Sequence, residues 1–229
     1  PAMPDLKFAM AFGYGPYDER LVTSPGVWTD ITEHVHAPTG CTISRGRSSE
    51  FDSPQPGECT FTICDRTRTF DPLNDGSYLA TFLRPRTPVK VSATYDGIVY
   101  PLFVGYAEGF PQRYELGDTV TWIEIVAHDL LSVIAGQRFL PARPAVCDDA
   151  DLGVLNSYTR LSGPKPELAS ARSGDRIAEL LLAVGLGGEL VDIDTGQTVL
   201  VAGVPEADDL LSHLVAITDT EHGRLSVTG

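Results

Sequence analysis

Pro88-Val89-Lys90-Val91-Ser92-Ala93-Thr94-Tyr95-Asp96-Gly97-Ile98-Val99-Tyr100 is the stretch on which the fold turns. Asp-Gly between two runs of β-branched and aromatic residues predicts a two-residue type I′ turn, because that turn needs positive φ at both central positions and Gly adopts it without strain. The flanking runs are therefore two strands of one hairpin. Downstream, Leu102-Phe103-Val104-Gly105-Tyr106 and residues 119–126 supply two more strands, separated by a polar loop over 113–118. Upstream, Gly57 releases Cys59-Thr60-Phe61-Thr62-Ile63-Cys64, where Phe61 and Ile63 share one face and the threonines take the other, the pattern of a half-buried strand. Val27-Trp28-Thr29-Asp30-Ile31-Thr32 follows a Ser24-Pro25-Gly26 turn and alternates in the same way. Residues 6–106 are thus punctuated as an antiparallel β domain.

Asp129 to Ala135 predicts a short helix stopped by Gly136, and the first domain, residues 1–138, closes there. Residues 139–172 contain Pro141, Pro144, Pro164 and Pro166 with Asp148, Asp149 and Asp151, the composition of a linker or a surface excursion. Regularity returns in residues 173–229, expected to form a small α+β domain. Ser173 is placed to cap a helix whose Ile177, Leu180, Leu181 and Val184 fall on one face, with Gly185 just past its end. Residues 190–204, with an Asp194-Thr195-Gly196 turn, predict a hairpin. Pro205 then opens a second helix carrying Ala207, Leu210, Leu211 and Leu214, running to Gly223. A strand beginning at Arg224 leaves the second domain incomplete at its C-terminal end, to be finished by further chain or by a partner. The fold class is mainly β, followed by a smaller α+β part.

A net charge of −14 and a pI near 4.6 argue against nucleic-acid binding, since affinity for phosphate comes from Lys and Arg displacing counterions. The acidity is spread over both halves, so the average hides no basic tail. No apolar run reaches the roughly 18–20 residues of a membrane span, and no basic region followed by an apolar stretch opens the chain. Cys41, Cys59, Cys64 and Cys147 lack C-x-x-C spacing and read as free, mostly buried thiols of a protein made in a reducing cytosol.

Chemistry-bearing motifs are sparse. There is no phosphate-cradling glycine loop, nucleophile elbow or zinc-protease helix, so no catalytic, cofactor-binding or metal residue is assigned. His34 and His36 with Cys41 nearby are set aside as strand-end histidines, and Asp192 and Asp194 as a solvated turn. His128-Asp129 and Glu221-His222 are neighbours that point apart. Trp28 and Trp122 sit inside apolar strand patterns and are expected to pack in the core. The Arg-x-Arg pairs carry more information: Arg45 with Arg47, Arg66 with Arg68, and Arg84 with Arg86. In extended chain, residues i and i+2 lie on one side, so each pair would present two guanidinium forks suited to carboxylates. Salt bridges within one subunit, contacts between subunits and an anion site all remain open for them.

The residues then carry a resemblance. Arg45-Gly46-Arg47-Ser48-Ser49-Glu50-Phe51-Asp52, Pro56-Gly57-Glu58-Cys59-Thr60-Phe61-Thr62, Phe70-Asp71-Pro72-Leu73-Asn74, Leu83-Arg84-Pro85-Arg86-Thr87-Pro88-Val89 and Leu102-Phe103-Val104-Gly105-Tyr106 resemble, in order and spacing, minor tail proteins of long-tailed phages of actinobacteria. Residues 173–223 resemble the region that follows in that family. Such proteins are similar to the baseplate hub and to the N-terminal, tube-like part of tail-associated lysins. The resemblance implies a tail-tube-like antiparallel β-barrel and a homotrimer at the virion tail tip, made in the host cytoplasm. It also implies contacts with the distal tail protein, the tape measure protein and other tail-tip proteins, transient passage of DNA without specific binding, and no cofactor. The implied function is a hub that closes the tail tube, adapts its symmetry and opens for DNA ejection. A hexameric distal tail protein is the nearer alternative, and a tail protein that binds or hydrolyses cell-wall glycan is the further one.

Overall fold

The structure, a computed structural model, describes residues 4–46, 55–114, 120–137, 170–202 and 209–227. The chain divides into two compact units, residues 1–132 with 227–229, and residues 133–226. The first is mainly antiparallel β. Its elements are β1 (Asp5–Met10), α1 (Arg20–Thr23), β2 (Thr29–Asp30), β3 (Cys41–Gly46), β4 (Gln55–Asp65), β5 (Pro88–Tyr95), β6 (Ile98–Ala107), β7 (Gln112–Tyr114) and β8 (Thr121–His128), followed by α2 (Leu130–Ala135). They form one eight-stranded sheet in the order β2-β1-β5-β6-β8-β4-β3, with β7 on β8.

The predicted hairpin forms. Tyr95 pairs with Ile98 across a turn in which Asp96 has φ 51° and Gly97 φ 76°, both left-handed, as a type I′ turn requires. β4 also follows its alternation: Cys59, Phe61 and Ile63 are buried and the intervening threonines are half-buried. Phe8 on β1 and Phe61 on β4 lie four strands apart along the ladder, roughly 19 Å in a flat sheet. Their ring centroids are 5.1 Å apart, so the sheet is curled over its own core. That core holds Phe8, Met10, Ile31, Phe61, Ile63, Phe70, Val89, Val91, Phe103, Ile123 and Ile125, all buried.

Curling does not complete a barrel. The closed barrel expected from the resemblance is an open ladder, because the end strands β2 and β3 share no register. Residues 31–40 cross the gap in two 3-10 turns, held by the Ile31 N–H donating to the Phe8 carbonyl (2.9 Å), the His36 N–H donating to the Thr62 carbonyl (2.8 Å) and a single bridge from Val35 to Ile63. Pro38 has no N–H to give a ladder, and Gly40 at φ 74° turns the chain out of an extended path. The strand expected over 27–32 is likewise cut to Thr29–Asp30, since Pro25 opens a 3-10 turn before it and the Asp30 carboxylate accepts the Thr32 N–H (2.8 Å) after it. Trp28 and Trp122 are only half-buried and lie outside the core cluster: Lys90 sits over the Trp28 ring, and His36 stands edge-on to Trp122.

The second unit contains β9 (Ala171–Arg172), α3 (Ser173–Ala183), β10 (Val199–Leu200) and α4 (Leu210–Thr220). Ile177, Leu180 and Leu181 of α3 and Leu210, Leu214 and Ile217 of α4 are buried, as the periodicity predicts, and Gly185 at φ 86° ends α3. Two expectations fail here. Among the described residues of 190–204 no hairpin forms, because Val199 and Leu200 pair with Arg172 and Ala171 instead. Ser173 does not cap α3, since its hydroxyl donates to Glu221 (2.5 Å). The same carboxylate accepts the Gln197 N–H (2.8 Å) and the Thr198 N–H (2.5 Å), tying the end of α4 to the start of α3. Gly196 permits this approach, as a Cβ there would fall 1.9 Å from Ser173 Oγ and 3.0 Å from the Glu221 carboxylate oxygens. Residues 223–227 form no strand. Pro205 and Ala207 lie outside the described residues, and α4 is capped by Asp209, whose carboxylate accepts the Ser212 N–H (2.8 Å). Among the described residues, no helix is long and apolar enough to cross a membrane.

The Ser173 hydroxyl, with the two backbone N–H groups, holds the Glu221 carboxyl down to about 2. Because the folded value is depressed, its stabilisation is fully present above the ordinary carboxylate range and fades as pH falls towards 2. Thermal melts of the wild type and Glu221→Gln are therefore expected to differ most at neutral pH and to converge in acid.

Candidate subunit interface

The sequence-predicted arginines are not brought together. Arg45 lies exposed on β3, its stem against Gly57, where an added Cβ would meet Arg45 Cγ at 3.1 Å. Arg66 follows the last residue of β4. From Gly57 to Asp65 the strand advances about 26 Å, so the first two pairs occupy opposite ends of the sheet. The Arg86 N–H donates to the Ala107 carbonyl (2.7 Å), and Ala107 is in register with Ala127, which is in register with Cys59. Arg84 and Arg86 therefore lie at the Arg45 end but several strands away. Arg47 lies outside the described residues.

Nor are the second and third pairs extended, which the paired-fork argument required. Arg68 has φ 55° and Arg86 φ 67°, so each ends a turn. Asp65 builds the first of these. Its carboxylate, 1% exposed, accepts the N–H groups of Thr67 (3.1 Å), Thr69 (3.1 Å) and Phe70 (2.7 Å), folding residues 66–70 back over the strand end. The turn carries Arg68 Nε to within 3.0 Å of Asp71 Oδ2. Burial pushes the Asp71 carboxyl up, but the Leu73 N–H and the Arg68 guanidinium outweigh it and hold the group below its ordinary value. Arg68 is thus paired with Asp71 in its own subunit, with 55% of its side chain exposed. Arg84 donates from Nε to the Thr81 carbonyl (2.9 Å). Arg66 and Arg86 are exposed and make no side-chain hydrogen bond or ion pair among the described residues.

A different surface emerges at the end of the β5–β6 hairpin. Tyr95, Ile98, Val99 and Tyr100 are 47%, 55%, 61% and 46% exposed. Residues directly opposite in an antiparallel pair share a face, and residues two apart on one strand do too. Tyr95 opposite Ile98 and Ala93 opposite Tyr100 therefore form one apolar face, which Leu6 extends through its pairing with Ala93. Val99 stands on the reverse, so the tip is an apolar tongue exposed on both sides. It is also an unpaired edge. β8 takes only Tyr106 and Ala107 of β6, and no strand among the described residues pairs with that side of residues 98–104. Gly105 allows the narrow crossing, since a Cβ there would lie 2.5 Å from the His128 carbonyl oxygen. Pro101 suits an edge, where a missing N–H costs no ladder bond. The signal for this surface was present in Ile98-Val99-Tyr100, an apolar run without alternation in a strand that reads as ordinary hairpin.

Two expected outcomes follow from the Asp65 turn. Asp65→Ala removes acceptors for buried N–H groups and is expected to cost roughly 2–4 kcal/mol in urea unfolding. Arg68→Glu is expected to lower the unfolding midpoint by placing like charge on Asp71, whereas Arg66→Glu leaves it unchanged; equal effects would show that the Arg68 to Asp71 pair is not structural.

No family model matches the chain, and no curated protein matches it. Among solved structures it is similar to the tail protein from Neisseria meningitidis MC58, at 10% identity and a TM-score of 0.46 over 94% of this chain and 45% of that one. It is also similar to the 43 kDa tail protein of prophage MuSo2 from Shewanella oneidensis, at 12% identity and a TM-score of 0.46 over 95% and 51% of the two chains. The chain spans about half the length of these structures. At this identity and TM-score the likeness carries no inference of function for this chain.

Proposed function

We propose that this chain is a structural subunit of a phage tail tip, a hub that closes the distal end of the tail tube, adapts its symmetry and opens for DNA ejection. The observation that carries the reading is the apolar tongue at residues 95–100 beside the unpaired edge of β6. An apolar patch with open backbone donors and acceptors is stabilised by a neighbouring subunit and is a liability in isolation. The motif order from Arg45 to Tyr106 points the assembly to the tail. The net charge of −14 suits a conduit that must not retain DNA. On this reading the subunits form a trimer beneath the distal tail protein, around the end of the tape measure protein, and the chain performs no catalysis.

A six-fold ring is the second reading, favoured by one feature: among the described residues each chain contributes a single large sheet, so a hexagonal tube section would need six copies. Electron microscopy of intact tails separates the two by counting copies below the last tube ring. Three copies support the hub and six the distal ring; absence of the chain from the tail overturns both. Within either ring, Ile98→Glu with Tyr100→Glu is expected to weaken self-association about 100-fold, from roughly 1.5 kcal/mol per side chain, without unfolding the monomer. Mass photometry across a dilution series measures this, and an unchanged association constant removes the tongue from the interface.

A further inference from the structure

We propose that Cys41 and Cys59 form an oxidisable dithiol, whose conversion to a disulfide staples the edge strand β3 to β4. Cys41 is in register with Phe61, and Ile43 with Cys59, so the two cysteines lie on a diagonal of one four-residue set and share a face. Their sulfurs are 3.5 Å apart. A disulfide needs roughly 2.05 Å, so the sulfurs must close by about 1.5 Å, through side-chain rotation and a shear of the strand. β3 can make that shear, because it ends the sheet and is laddered on one side alone among the described residues.

The two thiols are chemically unequal. Cys59 is fully buried and Cys41 half-buried, so a reagent from solvent reaches Cys41. The hydrogen bond between the two sulfurs lowers the Cys41 thiol from its ordinary value, while the same bond, with burial, raises that of Cys59. Cys41 is therefore the sulfur that ionises more readily and, being reachable from solvent, reacts first. With a hydroperoxide as oxidant, the Cys41 thiolate attacks the O–O bond, giving a sulfenic acid and releasing hydroxide. The Cys59 sulfur then displaces the sulfenic hydroxyl, its own proton leaving with that oxygen as water. Over both steps two thiols and one hydrogen peroxide give one disulfide and two waters. Cys64 cannot join, because it alternates with the buried Cys59, Phe61 and Ile63 and so faces the other side of β4.

The test uses the full chain, folded and reduced, exposed to hydrogen peroxide, then alkylated, digested and weighed. The expected product is a linked peptide pair containing Cys41 and Cys59, lighter by two hydrogen atoms, with Cys64 alkylated. Before oxidation, Cys41 is expected to alkylate about tenfold faster than Cys59. After it, amide exchange in β3 slows. Cys41→Ser abolishes the link and the slowing, while Cys64→Ser leaves both. Recovery of Cys41 and Cys59 as separate alkylated or over-oxidised residues in the folded chain overturns the proposal, as does a link from Cys41 to any other cysteine. The outcome is independent of the tail-tip reading.

Discussion

The contact between Phe8 and Phe61 is the constraint from which most of the first unit follows. A sheet whose ladder sets these strands roughly 19 Å apart can join their rings at 5.1 Å only by curling. The hydrophobic effect drives the curl, since it lets one sheet cover much of its own apolar face, with loop residues such as Phe70, Leu79 and Leu83 filling the rest. An aromatic pair contributes about 0.5–1.5 kcal/mol beyond the area it buries, and the aliphatic residues around it contribute more. β6 meets β8 through only two residue pairs, and the rest of that edge has no strand partner among the described residues.

Polar groups fix what the apolar core leaves undetermined. Asp65 and Asp71, each 1% exposed, are buried because backbone N–H groups and a guanidinium satisfy them, and they define the path of the loop after β4. In the second unit, Glu221 sits at the C-terminal end of α4, where the helix dipole disfavours an anion, yet three donors hold it there. Both devices spend charged groups inside a subunit. The first of them pairs Arg68 with Asp71 inside the subunit.

The exposed apolar tongue contains none of the paired arginines. The arginines lie at two ends of the sheet, and each described pair has at least one member with a local task or in a turn. The tongue combines exposed aromatic and branched side chains with unpaired backbone, which gives a neighbouring chain both burial and hydrogen bonds. Function on the proposed reading then depends on a hairpin end whose own fold is already complete.

What the amino-acid sequence by itself determined was local. The Asp96-Gly97 turn, the alternation of β4 and the apolar faces of α3 and α4 follow from steric limits on φ and from periods of 2 and 3.6, which need no knowledge of distant residues. Residues whose partners are far along the chain were decided only by tertiary structure. Ser173 looks like a cap until Glu221, 48 residues away, takes its hydroxyl. Residues 190–204 look like a hairpin until β9 claims the second half. The Arg-x-Arg pairs look extended until Asp65 turns the chain, and the barrel looks closed until Pro38 and Gly40 interrupt its last seam. The tongue belongs with these: Ile98, Val99 and Tyr100 are apolar in any reading, and only the tertiary structure, which pairs no strand with their outer edge among the described residues, leaves them in water.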